Sequence, residues 1–266
     1  MSDQSKKLNK IAKPLIPTTS NFYVDVIIPF RNQYDKVIGL VEQLTRSVTY
    51  PSFNIVLVDD GSQNKFFSQG LNRIQNCKII KNDVSVGFGA SVNKAVMESK
   101  TDFICIMHSD TQVMQKNFLW NLAKSLSNNK DKKLAAVSAV TNNPMSKDCL
   151  FLKKQEATAD PVEFLAPDQY LPLFCCMISR PVFLKVGKLP EFPLCWYEDR
   201  FFAKALNSHG YTLAYDPSVY VGHLGGVTVA DVVRENPKNL EVLKNNRNLY
   251  QKKLAESNFN NSKNFS

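Results

Sequence analysis

A chain of 266 residues, 44% hydrophobic and 21% charged, has the composition of a globular protein rather than a disordered or fibrous one. No apolar run approaches the roughly 20 residues that span a bilayer, and the basic N-terminus lacks the apolar stretch of a secretory signal. The net charge is +9, and much of it sits at the ends: four lysines against one aspartate in 1–20, seven cations against four carboxylates in 227–266.

Such ends are solvated tails, or else they touch a polyanion or a membrane surface. The six cysteines stand at 77, 105, 149, 175, 176 and 195 with no C-x-x-C spacing. That fits reduced, mostly buried thiols in a cytoplasmic protein.

In chain order, "YVDVIIPF" (23–30) is apolar, β-branched and closed by Pro29, as a buried strand should be. "DKVIGLVEQLTRSV" (35–48) places Val37, Ile38, Val41, Leu44 and Val48 at helical spacing. "FNIVLVDDGS" (53–62) is a second strand, ending in two carboxylates and a turn, and "CKIIKN" (77–82) is a short third. A helix over 89–99 follows a glycine-containing loop. "DFICIMHSD" is the fourth strand, 117–129 a helix, and "LAAVSAV" (134–140) a fifth strand. This alternation predicts a mostly parallel α/β sheet with helices on both faces, and near-continuous apolar strands fit burial on both sides.

After 140 the alternation breaks into an irregular Pro- and Asp-containing stretch, expected as a loop with short elements over the site. A strand with a short helix from Pro181 follows, then an amphipathic helix over 197–210 and extended segments through "YTLAYDPSVYVGHLGG". The charged, Asn-rich end is expected to be helical to about 255, before a disordered tip.

In parallel sheets ligands bind beyond the carboxyl ends of strands. Three such ends here are polar: Pro29 to Asn32, Asp59 to Ser62, and His108 to Asp110. The Asp59-Asp60 pair is also what an Asp-driven turn needs. His108 and Asp110, two apart, point the same way on an extended segment. A carboxylate with an imidazole suits a divalent ion such as Mn2+ or Mg2+. Glu198-Asp199, in a first helical turn, also complements the helix dipole.

Together, "VDVIIPFRN", "IVLVDDGSQN", "VGFGASVNKAV", "FICIMHSDT", "ISRPVFLKVGKLPE" and "WYEDRFFAKALNSHGYTLAYDP" resemble, in order, the family 2 glycosyltransferases of GT-A fold. The resemblance covers roughly 23–226. It implies a GT-A domain over 21–226, with a nucleotide-sugar half (21–140) and an acceptor half (141–226), flanked by a flexible segment (1–20) and a charged helical extension (227–266).

It further implies an inverting transfer from a nucleotide-diphosphate sugar, UDP-sugar favoured, to an acceptor hydroxyl, that of a glycan (a polysaccharide or lipid-linked glycan) or of a protein. Pro29, Arg31, Asp60, Gly87 and Asn93 fall at nucleotide-binding positions, with Asp60 on a uracil-type base. Asp110 is the second aspartate of the family's metal-binding Asp-x-Asp, and His223 falls where some relatives add a ligand. Asp199 is the general base with Glu198 beside it, and Trp196 and Tyr197 are candidates for stacking on the acceptor. The family's first aspartate is His108 here, which either ligates the metal or donates to the diphosphate or ribose. Alternative readings are a DNA glycosyltransferase acting on a hydroxymethylated base, suggested by the basic ends with Lys153-Lys154 and Lys252-Lys253, and a non-catalytic nucleotide-sugar or protein-binding module.

Overall fold

The computed structural model describes residues 22–48, 52–63, 74 and 76–257. The basic N-terminal segment and the tip 258–266, both expected to be flexible, lie outside the described residues. Nine strands form the sheet: β1 (Tyr23–Phe30), β2 (Ser52–Asp60), β3 (Cys77–Asn82), β4 (Phe103–Met107), β5 (Thr111–Val113), β6 (Leu134–Val140), β7 (Glu163–Phe164), β8 (Cys175–Ser179) and β9 (Thr212–His223). Their order is β3-β2-β1-β4-β8-β6-β9-β5, with β7 also paired to β9.

β3, β2, β1 and β4 are parallel neighbours. β8 runs against both β4 and β6, so β6 shares the direction of the first four, and β9 pairs parallel to β6. Six strands therefore end at one edge, and β5 and β7 run against β9.

The helices among the described residues are α1 (Tyr34–Ser47), α2 (Phe88–Glu98), α3 (Phe118–Asn128), α4 (Arg180–Val186), α5 (Glu198–Ser208), α6 (Val227–Glu235) and α7 (Asn239–Glu256); a 3-10 turn covers Lys147–Leu152. Burial on both faces explains the unbroken apolar strands: Val24, Val26, Ile27 and Ile28 of β1 are sealed, as is every residue of β6. Each buried Leu, Ile, Val or Phe side chain contributes about 1.5–3 kcal/mol, so the sheet is a stiff mount for what stands at its edge. In α1 the buried stripe is Val37, Leu40, Val41 and Leu44, with Ile38 turned outward; the stripe lies one position away from where Ile38 suggested.

Among the described residues, no helix is long and apolar enough to cross a membrane. All six cysteines are free thiols, with Cys105, Cys149, Cys175 and Cys176 buried.

Candidate functional site

The common edge gathers the polar strand ends around one cleft of about 420 Å3, lined by Pro29, Arg31, Asp60, His108, Asp110 and Asp199 among others. That volume suits a small organic ligand. Asp199 reaches the cleft because α5 leads into β9 through a short turn, which leaves the first turn of the helix at the edge where β9 finishes.

His108 and Asp110 do not lie on extended backbone. Residues 108–110 form a turn between β4 and β5, with Thr111 N–H and hydroxyl both donating to the His108 carbonyl. The turn still aims both side chains at His223, the last residue of β9, because β5 pairs Thr111 with His223 across the ladder. His108, Asp110 and His223 each offer one ligand atom, all within 4.8 Å of one another.

Hydrogen bonding decides what these atoms can do. His223 Nδ1 stands 2.9 Å from the Asn143 carbonyl, which can only accept. The Nδ1 proton is assigned there, which leaves Nε2 as the ring nitrogen that faces the site. That Nε2 is 3.3 Å from Asp110 Oδ1 and 3.3 Å from His108 Nδ1. Lone pairs so placed repel unless a proton or a cation lies between them.

Burial and the neighbouring His223 lower the His108 pKa to about 4, leaving that ring neutral and able to ligate. Burial pushes Asp110 upward, but the His223 and His108 rings outweigh it and bring it to about 2, so it is a carboxylate. Two imidazoles and one carboxylate are a donor set that fits a divalent transition ion. Outer contacts fix it: Asp110 Oδ2 accepts from Gly225 N–H at 3.0 Å, His223 stacks on Phe174 at 5.1 Å, and the Phe88 ring meets His108 edge-on at 5.5 Å. The Asn142 amide brackets the His223 backbone, accepting from its N–H and donating to its carbonyl.

The nucleotide-side candidates divide. Pro29 and Arg31 line the cleft, Arg31 just beyond the end of β1. Its guanidinium is engaged by Glu235 of α6 at 3.0 Å. Asp60 also faces the cleft, but its carboxylate is already full: it accepts from Asn82, from the Ser85 and Ser91 hydroxyls, and from the N–H groups of Val86 and Gly87. Five donors exceed the four or so lone-pair directions of a carboxylate, so direct contact with a base is replaced by a hold on the 85–87 loop. Asp59 does what a turn needs, accepting from Ser62 N–H at 2.9 Å.

Gly87 and Asn93 are not in the cleft wall. A Cβ on Gly87, at φ 95°, would come within 2.7 Å of the Phe192 carbonyl, so glycine is there for close backbone approach. Asn93 is buried and both ends of its amide bind the backbone of Leu189, at 2.9 Å each. Both positions join α2 to the segment that precedes α5.

On the acceptor side, Trp196 is 38% exposed at the cleft. Tyr197 is already stacked on Tyr250 of α7, with ring centroids 5.2 Å apart. Glu198 is buried, and one of its oxygens, Oε1, has no hydrogen-bond partner. Burial lifts Glu198 to about 8. Burial also raises Asp199, to about 6, against the pull of the Arg200 N–H and guanidinium. Arg200 in turn lies over the Tyr170 ring, 4.5 Å from its centroid, and is ion-paired to Asp148.

Sequence reasoning missed Asn142, Asn143, Tyr170 and Arg200, and assigned no site residue to α6 or α7. Their signal was an unexplained "TNNP" after β6 and an asparagine, Asn246, in the apolar stripe Leu243–Tyr250.

Residues 25–158 match the sequence model of the family described as Glycosyl transferase family 2. No curated protein matches the chain. Among solved structures, GalNAc-T7 with UDP, GalNAc and Mn2+ superposes with a TM-score of 0.62 at 16% identity, over 77% of this chain and 44% of that one. The mannosyltransferase PcManGT from Pyrobaculum calidifontis, in complex with GDP-Man and Mn2+, gives 0.60 at 16% identity, over 82% and 61%. S. aureus TarS 1–349 in complex with UDP-GlcNAc gives 0.60 at 16% identity, over 79% and 61%. The chain thus spans roughly half of each of these proteins, and what it shares with them is the GT-A fold.

Proposed function

The chain belongs to glycosyl transferase family 2, and from that premise we propose that it is an inverting enzyme moving a sugar from a nucleotide diphosphate, UDP favoured, to an acceptor hydroxyl. One observation carries the reading. Three metal-type donors and an ionisable carboxylate, from both halves of the chain, face a single cleft where parallel strands end.

His108, Asp110 and His223 would hold the divalent ion, of which Mn2+ suits a set with two imidazoles better than Mg2+. When bound, such an ion neutralises the negative charge that a departing diphosphate develops.

The remaining work belongs to the chain's own groups. Asp199 is the general base: with its pKa near 6 it is mostly ionised at neutral pH and can take the proton of the attacking hydroxyl. Glu198, near 8, is mostly protonated there and is unsuited to that role. Attack from the face opposite the leaving group inverts the anomeric centre, the outcome a single carboxylate base produces in inverting glycosidases.

Asp60 acts on the base through Ser85. The hydroxyl of Ser85 spends its proton on Asp60 at 2.7 Å and so turns lone pairs toward the cleft, where a uracil N–H can meet them. Trp196 offers its exposed ring to a sugar face.

Thermal-shift measurements with UDP-, GDP- and dTDP-sugars, each with Mn2+, Mg2+ or chelator, test the reading. A shift for one UDP-sugar that needs the metal supports it. Equal shifts with and without chelator for every donor would contradict the metal assignment.

A further inference from the structure

The loop 193–197 that delivers Asp199 to the cleft carries an unusual backbone. Leu194, Trp196 and Tyr197 all have left-handed φ, at 66°, 88° and 78°. None is glycine, asparagine or aspartate, so each is costly, about 1–3 kcal/mol, and persists only where its surroundings over-determine it. Tyr197 is also the N-cap of α5 and makes no side-chain capping bond. Something outside the loop has to hold it.

On one side that support is α2, where Phe88 N–H donates to the Leu194 carbonyl at 2.7 Å. On the other side it is α7. Asn246 is fully buried, and its amide donates to the carbonyls of Pro193 at 2.8 Å and Cys195 at 2.7 Å. Its Oδ1 is buried without a partner, an unmet polar group that is a cost in itself. One turn on, the Tyr250 ring stacks on Tyr197 at an interplanar angle of 25°. Leu243, one turn back, closes the cleft wall. Leu243, Asn246 and Tyr250 fall on one face of α7 at spacings of three and four. The family match ends at residue 158, so this helix lies wholly beyond it.

We propose that α7 is a working part of the catalytic site, with Asn246 and Tyr250 as positioning residues that clamp loop 193–197 in its left-handed path and thereby aim Asp199. The clamp rests on Asp199 being the base, and it specifies how that base is held.

The experiment uses the full chain carrying Trp120→Phe, which leaves Trp196 as the single indole, since the chain has two tryptophans. Asn246→Asp keeps the shape but turns an acceptor toward two carbonyls. Asn246→Ser is the milder variant, and Tyr250→Phe against Tyr250→Ala separates ring stacking from the hydroxyl. The expected result for Asn246→Asp is red-shifted, more readily quenched Trp196 emission. Its affinity for UDP with MnCl2 stays within about threefold, and its kcat for UDP release, on whichever UDP-sugar is accepted, falls tenfold or more at little-changed KM. Tyr250→Phe retains the parent's behaviour and Tyr250→Ala follows Asn246→Asp.

Combining Asn246→Asp with Asp199→Asn should add little to the loss from Asp199→Asn alone. Unchanged Trp196 emission and kcat in folded Asn246 variants would overturn the clamp and leave the base assignment standing. An Asp199→Asn enzyme that keeps its rate would instead overturn the base assignment, while the fluorescence still reports on the loop. Loss of UDP binding in step with kcat, in Asn246→Ser as well, would make α7 merely structural and also overturn the proposal.

Discussion

The two halves of this molecule build their share of the cleft by different physical means. In residues 23–140 the functional groups stand at strand ends or within three positions of them, as Asp60 closes β2, Arg31 follows β1 and His108 follows β4. A parallel sheet buried on both faces fixes where a strand stops, and the next polar residue is at the edge without further help. In residues 141–257 the groups are placed by contacts distant in sequence. His223 is oriented by Asn143, 80 residues away, and the loop before Asp199 is held by Asn246, about 50 residues on. The first half is set by periodicity, the second by mutual support, and mutation should separate them.

The largest expected effect is at Asp199. Asp199→Asn removes the base and should lower transfer by about 10²–10⁴-fold, while UDP affinity measured by calorimetry stays within about twofold. A matched loss of both would place Asp199 among the structural residues. The substitution should not cost stability near neutral pH. The folded state holds this proton up to about pH 6, whereas an ordinary aspartate releases it near 3.8. Folded molecules thus bind more protons across that window, so stability falls as pH rises through it, and a permanently neutral amide avoids the fall. Urea unfolding of the variant at pH 5 and pH 7.5 checks the sign.

Next come the metal donors. Asp110→Ala deletes the carboxylate of the trio and should weaken Mn2+-dependent UDP binding by at least tenfold, by analogy with the 10–100-fold that even supporting partners contribute at metal sites. His108→Ala tests the sequence's departure from Asp-x-Asp. If the neutral His108 ligates, the loss approaches that of Asp110→Ala; if it only donates to the nucleotide, affinity falls equally with and without Mn2+. Titrating Mn2+ at fixed UDP distinguishes the two.

A smaller and graded effect is expected from pH. The base must be ionised, so kcat should rise with pH and level off above about 6, falling close to tenfold per unit below it. A limb centred near 8 would transfer the role to Glu198, whose carboxyl burial raises that far.

The same contrast explains what could be read from the chain alone. β3 and β6 fall on the residues their composition indicated, 77–82 and 134–140, because a short apolar run between turn residues has few other uses. The helix carrying Asp199 was legible from Phe202, Ala205 and Leu206, all buried. Not legible was what Asp60 does. "VDDGS" gives the carboxylate, but the five donors that fill it come from residues 82–91, whose approach depends on how the loop folds back. Asn93 is a related case: the family resemblance implies a nucleotide-binding position, and only the chain path shows both its amide groups spent on Leu189. Which residues of α6 and α7 meet the cleft was equally hidden. The charged, Asn-rich sequence of α7 has a weak apolar face, and the residues that count are polar: Asn246 there and Glu235 at the end of α6.

Glu235 supplies the smallest effect and the finest test of how the two halves meet. Its carboxylate bridges Arg31 at 3.0 Å and the Asn32 amide at 2.7 Å, tying α6 across the nucleotide end of the cleft. Both ionic side chains remain about a quarter exposed or less, at 26% and 20%, so the pair is worth at most about 1 kcal/mol. If a bound nucleotide engages Arg31, as the family resemblance implies, it must displace that carboxylate. Glu235→Gln keeps the hydrogen-bonding shape and removes the charge, so UDP should bind up to about fivefold more tightly, with the gap shrinking as salt screens the wild-type pair. Calorimetry at 50 and 500 mM NaCl reads both quantities. Weaker binding by the variant would reverse the roles, making Glu235 a ligand that the second half lends to the nucleotide rather than a competitor that the nucleotide displaces.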